Sequence, residues 1–328
     1  MAAAAAEPDG ERALYCDGYA DSQSQTLVSD QTVFNLCSMS KLFAAVTLLR
    51  LLRIESLPVD TNVAHFLNVP LSPGVGRGPT VRELLSHHGG VVDPEGAFAP
   101  GPAAVQDLTV EDILRGETNA HPGPIQVSLH PGAQFAYSDA GHCLAEYLIE
   151  QLSGQDFCTA VSQQVMAPVG QPAVRLGPRG SSADQHALDG QAGSFFARGH
   201  GPDGQPVPAD QEHSPGRAAS GLWADIGQVS AVIGDLARAA SGHDASLLPP
   251  VSVQQMFSDH GSGAGLGVFT FGPSAEYPVM SQGWGVGFQN QARIDHVAGG
   301  SVVVLSNSDP AVPQAQSAVG AAISRFID

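Results

Sequence analysis

Lysine is almost absent from this 328-residue chain: Lys41 stands alone, and arginine supplies the other thirteen basic residues. Acidic residues number 32, giving a formal charge of −18 at pH 7. A surface of that sign repels nucleic acid and anionic membranes, since both need a basic footprint. Cysteine is scarce as well. Cys16, Cys37, Cys143 and Cys158 form no CxxC pair and are too few for a disulfide framework, so they read as reduced thiols. No apolar run is long and pure enough to cross a membrane. The opening "MAAAAAEPDGER" has no basic n-region and turns acidic at once, unlike a secretory signal. The expectation from these absences is a cytoplasmic address. The histidines, His87, His88, His121, His130 and His142 among them, show neither HExxH nor Cys/His ligand spacing, so no metal is expected. "GSGAGLG" neither follows a clear strand nor precedes a helix with a lysine, so no phosphate loop and no cofactor is expected.

What is present can bury a substantial core, with 43% apolar residues. Residues 12 to 36 read as a strand pair, "RALYCDGYA" and "TVFNL". Apolar positions from Leu42 to Leu52 recur at helical spacing and put Ser38 at or just before a helix N-terminus. "GPTVRELLSHHGG" is a short helix capped by Thr80 with Glu83 three residues on. "DAGHCLAEYLIEQLSG" predicts a helix stopped at Gly154, and "DFCTAVSQQVMAPVG" another. Residues 175 to 217 are loop-like; "LWADIGQVSAVIGDLARAAS" is a helix; "GLGVFTF", "VGFQNQARIDHV" and "SVVVLSNS" have strand character; "AAISRFI" closes on a helix. This order predicts an α+β fold. The terminal segments form one antiparallel sheet flanked by helices, over about residues 1–55 and 215–328. A mostly helical lobe covers about 56–214, with the site in the cleft between the two.

Ser38 and Lys41 are three apart at the head of an apolar helix, so their side chains share a face. A serine hydroxyl is a weak nucleophile until a base takes its proton, and a lysine with a lowered pKa can be that base. The bland alternative is a helix-cap serine followed by a surface lysine. The uniqueness of Lys41 argues against it, because surface charge here is carried by arginine.

Five stretches, in order, match one family. "TVFNLCSMSKLFAA", "PTVRELLSHHGG", "HPGAQFAYSDAGHCLAEYLIEQLSG", "AASGLWADIGQVSAVI" and "GWGVGFQNQARIDHVAGGSVVVLSNS" together resemble the serine β-lactamase and penicillin-binding-protein superfamily. The resemblance is greatest to its class C β-lactamase-like branch of esterases, peptidases and acyltransferases. It spans nearly the whole chain, although the helix that this family places before its first strand has no counterpart pattern. It implies Ser38 as acyl-accepting nucleophile, Lys41 as its base partner and Tyr137 as the proton shuttle of the second motif. The oxyanion hole would pair the Ser38 N–H with that of Gly285. His87, in the helix-end motif, would be structural.

Two departures bear on chemistry. The second motif usually ends in asparagine, but here ends in Asp139; pointed into the site, its charge favours a protonated Lys41. The third motif, normally K-T-G or H-x-G, reads "SQGWGVGF", with Gln282 or, two residues on, Trp284 where the cation or histidine belongs. Asp139, Gln282 and Trp284 are therefore the expected substrate contacts, and carboxylate-bearing substrates lose an anchor. The expectation is acyl transfer through acyl-Ser38, from a small-molecule ester to water or to an amine or alcohol acceptor, in secondary metabolism. The rivals are a β-lactamase or D-amino-acid peptidase and, from another class, a non-catalytic binding or sensor protein.

Overall fold

The computed structural model describes residues 1–6, 12–67, 77–178, 195–272, 278–295 and 300–327. Its strands are β1 (Ala2–Ala6), β2 (Arg12–Cys16), β3 (Tyr19–Asp21), β4 (Thr26–Leu27), β5 (Val33–Asn35), β6 (Trp223–Asp225), β7 (Phe269–Thr270), β8 (Val279–Gly285), β9 (Phe288–Asp295) and β10 (Gly300–Ser306). Six of them form one antiparallel sheet in the order β2-β1-β10-β9-β8-β7, joining the two ends of the chain as expected. The main helices are α1 (Ser40–Ile54), α2 (Val81–Leu85), α3 (Val110–Arg115), α4 (Asp139–Ser153), α5 (Phe157–Val161), α6 (Ile226–Ala240), α7 (Pro250–Phe257) and α8 (Ala318–Ile327). Among the described residues, no helix is long and apolar enough to cross a membrane.

The opening alanines, to which the sequence reading gave no structure, form strand β1. Alanine is a poor strand former, so tertiary context decides. Ala2 and Ala4 face the main core while Ala3 joins Val302, Val304, Val319 and Ile323 on the opposite face, against α8. Period-two alternation thus lets the smallest apolar side chain fit a sheet covered by helices on both faces. The expected pairing within residues 12 to 36 is not formed: β2 pairs with β1, and β5 pairs with β6, Val33 opposite Asp225. That pairing also takes the start of the expected "LWAD" helix, because Asp225 closes a capping box with Gln228 and α6 begins only at Ile226. "GLGVFTF" yields only the two-residue β7. Within the loop-like region, residues 179–194 lie outside the described part; the remainder is pinned, Arg175 to Trp223 and Gly101 to His213, by reciprocal backbone hydrogen bonds.

Caps read from sequence hold. Thr80 and Glu83 form a full capping box on α2, and Gly154 ends α4 with φ +64°. Helix α1 is buried from Ser40 to Leu49 and packs against α4, so the helix carrying Lys41 lies inside the core. Strand β8 then crosses the turn that precedes α1. A β-carbon at Gly283 would sit 2.0 Å from the Leu36 carbonyl oxygen, a backbone atom with no room to yield.

Gly283→Ala is accordingly expected to push β8 off this turn. Overpacking of this kind costs on the order of 1–3 kcal/mol. Urea unfolding should register that loss, together with a fall in the reactivity of Ser38 toward a fluorophosphonate. Wild-type values of both would contradict the packing described.

Candidate active site

The nucleophile turn is built by β5 running into a short 3-10 turn, Cys37–Met39, that continues as α1. Cys37 sits at φ +48°, unusual for a non-glycine residue, and is held there by Asn35, whose Oδ1 accepts the Cys37 N–H at 2.8 Å. Asn290 of β9 donates to the Asn35 carbonyl at 2.8 Å, tying the turn to the sheet. Ser38 Oγ emerges beside a cavity of about 290 Å³ whose wall includes Ser38, Tyr137, Asp139, Ser220, Trp284 and Gly285. Burial pushes the neighbouring Cys37 thiol up to about 12, so it holds its proton and offers no competing thiolate.

Lys41, 3% exposed, is surrounded by oxygens. Its Nζ lies 2.7 Å from Asp139 Oδ1, 2.8 Å from the Ala219 carbonyl and 3.2 Å from Ser38 Oγ. Burial pulls its pKa down, but the charge of Asp139, with Tyr137, more than reverses this and holds it above the ordinary lysine range. The sequence expectation of a base with a lowered pKa is therefore corrected, and the conditional expectation about Asp139 is met: its side chain points into the site. The Ala219 carbonyl comes from a π-turn, Arg217–Gly221, anchored to α4 where Glu146 accepts the Ala218 N–H at 2.8 Å. The same turn brings Ser220 Oγ to 3.4 Å from Ser38 Oγ.

Asp139 is held by its backbone. Asp93 accepts from Ser138 Oγ at 2.7 Å, from the Asp139 N–H at 2.5 Å and from the Ala140 N–H at 3.2 Å, placing a carboxylate over the α4 N-terminus. His87 and His142 clamp the adjoining residue. The Ser138 N–H donates to His87 Nδ1 at 3.2 Å, and His142 Nδ1 donates to the Ser138 carbonyl at 3.3 Å. His87 also stacks under Tyr137, ring centroids 4.4 Å apart at 26°. It is structural in that it supports the tyrosine. Tyr137 is 42% exposed rather than a core residue, and Lys41 Nζ lies 4.8 Å from its ring centroid.

The third-motif strand separates its two candidates. Gln282, with Ser281, lines a niche of about 10 Å³ next to Ser38, Lys41 and His87. Trp284 stands at the larger cavity, 46% exposed, its Nε1 donating to Asp309 at 2.9 Å. Gly285 ends β8 against Cys37: a β-carbon there would lie 2.8 Å from Cys37 Sγ. Strand β7 pairs only with Val279 and Met280, so along Ser281–Gly285 no described strand occupies the edge of β8 away from β9. None of the described residues lining the larger cavity is Lys or Arg. Arg293 instead lies over Phe271, 4.9 Å from its ring centroid. No group of three or more His, Cys, Asp or Glu among the described residues could hold a metal ion. Asp93, Ala219, Ser220, Ser281 and Glu212 escaped the sequence reading. Only "AASGLW", already set apart as a family-like stretch, carried a signal for two of them.

The family profile described as Beta-lactamase matches residues 1–323. The chain belongs to that family, within the serine β-lactamase and penicillin-binding-protein superfamily of serine hydrolases. A D-aminopeptidase of Brucella anthropi is 26% identical over 180 residues, a match covering 51% of this chain and 31% of that protein. The chain thus spans about a third of that relative's length. A penicillin-binding protein from Bacillus halodurans has the same fold, with a TM-score of 0.75 at 20% identity over 99% of this chain and 95% of that one. So does EstCE1, described as a hydrolase with promiscuous acyltransferase activity, with a TM-score of 0.70 at 19% identity over 93% and 88%.

Two measurements test this site. Asp139→Asn removes the charge that raises Lys41 and leaves burial to lower it, so any step needing neutral Lys41 should move its rising limb about 1 unit or more to lower pH. An acylation pH profile unchanged by Asp139→Asn would show that the pair does not control the site. Burial lowers His142 to about 3, with Lys41 acting in the same direction. Its stability contribution is therefore full above the unfolded value near 6.5 and is lost as pH falls toward 3. His142→Asn should shrink the stability difference between pH 7 and pH 4 by about 3 kcal/mol, read by denaturant unfolding.

Proposed function

We propose that this chain is a serine acyl-transfer enzyme that carries the acyl group as an ester on Ser38. The observation that carries this reading is the placement of Ser38 Oγ 3.2 Å from the Nζ of the chain's single lysine, at the mouth of a cavity. In the proposed reaction Ser38 attacks the carbonyl carbon of an ester as its proton passes to Lys41. The Ser38 N–H receives the developing oxyanion together with the Trp284 N–H at the open edge of β8, rather than that of Gly285, because Gly285 faces Phe288 in the closing pair of the β8–β9 hairpin. Tyr137 relays the proton from Lys41 to the departing alkoxide. Water, an amine or an alcohol then takes the acyl group and frees Ser38.

The surroundings of Lys41 favour proton transfer from a neighbouring hydroxyl, as Ser38 offers. Among its neighbours, the Asp139 carboxylate and the Ala219 carbonyl only accept hydrogen bonds, whereas the Ser38 and Tyr137 hydroxyls both donate and accept. A neutral amine keeps its two N–H groups for the acceptors and turns its lone pair to Ser38. Once the proton has crossed, the same three contacts serve the ammonium without rearrangement, so little reorganisation opposes the step. Asp139 stabilises the ammonium so formed, and the same charge favours capture of a solvent proton at low pH. Alkaline activity is the consequence.

Esters are preferred because the described cavity wall offers no cation to a substrate carboxylate. The names D-aminopeptidase and acyltransferase among similar proteins support acyl chemistry of this kind. The Ala-, Gly- and Pro-rich, lysine-poor composition, usual for GC-rich genes, associates the chain with secondary metabolism, and a cytoplasmic setting belongs to the same reading.

Ser38→Ala should abolish covalent labelling by a fluorophosphonate or acyl donor with circular dichroism unchanged; labelling at wild-type rate would refute the assignment. Lys41→Arg retains charge, but guanidinium cannot accept a proton, so single-turnover acylation should fall by at least about a hundredfold. A folded Lys41→Arg enzyme within a few-fold of wild type would reduce Lys41 to a charge. Simple esters should also outpace penicillins by roughly tenfold to a hundredfold, the worth of one charge-assisted hydrogen bond.

A further inference from the structure

Besides the nucleophile, the wall of the cavity includes Gln211, Glu212 and His213. This segment is fixed rather than loose. His213 and Gly101 exchange backbone hydrogen bonds at 2.8 and 3.1 Å, and Gln106 Nε2 meets His213 Nδ1 at 2.8 Å. Glu212 is 6% exposed, and its Oε1 is buried without a hydrogen-bond partner. The nearest cation is Arg198, whose Nε stands at 3.8 Å and is itself without a hydrogen bond. A buried carboxylate oxygen left bare is costly, and such groups are ordinarily satisfied by protein or ligand. The other charges around the cavity are committed: Asp139 to Lys41, and Asp309 to Trp284 Nε1 and the Ala311 N–H.

We propose that Glu212 binds a protonated amine on the acyl donor, making it the specificity-determining residue of this cavity. The inference rests on the reading of Ser38 as nucleophile and narrows its substrate to an ester or amide of an amino acid or other aminoacyl compound. The ammonium supplies the hydrogen-bond donor that the Glu212 carboxylate lacks, in a space whose described lining carries no Lys or Arg to oppose it. A carboxylate in its place would meet the like charge of Glu212, which disfavours it. Burial pushes the Glu212 carboxyl above its ordinary range and Arg198 opposes that shift; an ammonium bound beside it acts in the same direction as Arg198.

The test compares paired donors that differ only at the distal group, the 4-nitrophenyl esters of 3-aminopropanoate (ammonium) and butanoate (methyl). Acylation of Ser38 is followed by intact-protein mass spectrometry at pH 7.5. Wild type should acylate with the ammonium donor at about tenfold to a hundredfold higher kcat/KM. In Glu212→Gln that ratio should collapse toward one, with the change in KM, while Glu212→Asp should keep part of it. A ratio equal in wild type and Glu212→Gln overturns the proposal. A second arm does not depend on Ser38: calorimetric binding of 2-phenylethylammonium against 2-phenylethanol to wild type and to Ser38→Ala. A preference of about tenfold or more for the ammonium supports the proposal even if neither ester acylates, an outcome that would refute the acyl-Ser38 reading alone. Equal binding of the two compounds overturns the role of Glu212, whether or not its variants fold.

Discussion

The pair of buried Lys41 and half-buried Asp139 is the interaction on which the site depends. A charge buried like that of Lys41 is costly unless its partner is close and it is further hydrogen-bonded. Here the ammonium has two additional oxygens, and the Asp139 backbone hydrogen-bonds Asp93. Each partner comes from a different helix, α1 and α4, and those helices pack directly on each other. The pair therefore converts the packing of two helices into the position of one nitrogen beside one hydroxyl.

Around this pair the structure uses backbone more than side chains. The Ala219 carbonyl, the Ser138 amide and carbonyl, and the glycine-bearing edge of β8 all contribute main-chain atoms. Backbone groups cannot swing between rotamers, so a site assembled from them is preorganised at no side-chain entropy cost. Gly283 illustrates the constraint: only a residue without a β-carbon lets β8 pass the Leu36 carbonyl. The histidines serve the same end. His87 and His142 remain uncharged through burial and use their ring nitrogens to fix Ser138, from which both Tyr137 and Asp139 project.

Much of this was legible in the sequence. The spacing of Ser38 and Lys41 gave the shared helix face, Thr80 with Glu83 gave the α2 cap, and "YSD" placed Tyr137 and Asp139 together. These are local signals, carried by residues within four positions of each other. What the sequence hid is nonlocal. Ala219 approaches Lys41 across 178 residues, and nothing in "RAASG" announces that its carbonyl points at an ammonium. Asp93 caps a helix that begins 46 residues later. The alanine tract could not be read as a strand, because its conformation is imposed by Val302–Leu305 and the helices covering them, not by its own propensity. Lys41 itself shows the limit: burial and neighbouring charge pull its pKa in opposite directions, and only the geometry reveals which is larger.

That same first strand bears on how the chain acquires its fold during synthesis. Ala2 pairs with Leu305, and Ala6 with Ser301, so the N-terminal strand has its principal neighbour only after some three hundred further residues have left the ribosome. The Asn290 side chain that secures the nucleophile turn is equally late. Contacts of such separation form slowly, because loop closure precedes the contacts that reward it. Until β10 emerges, β1 lacks the strand that pairs with it on that side. Ser38 therefore gains its full environment only after β9 has emerged.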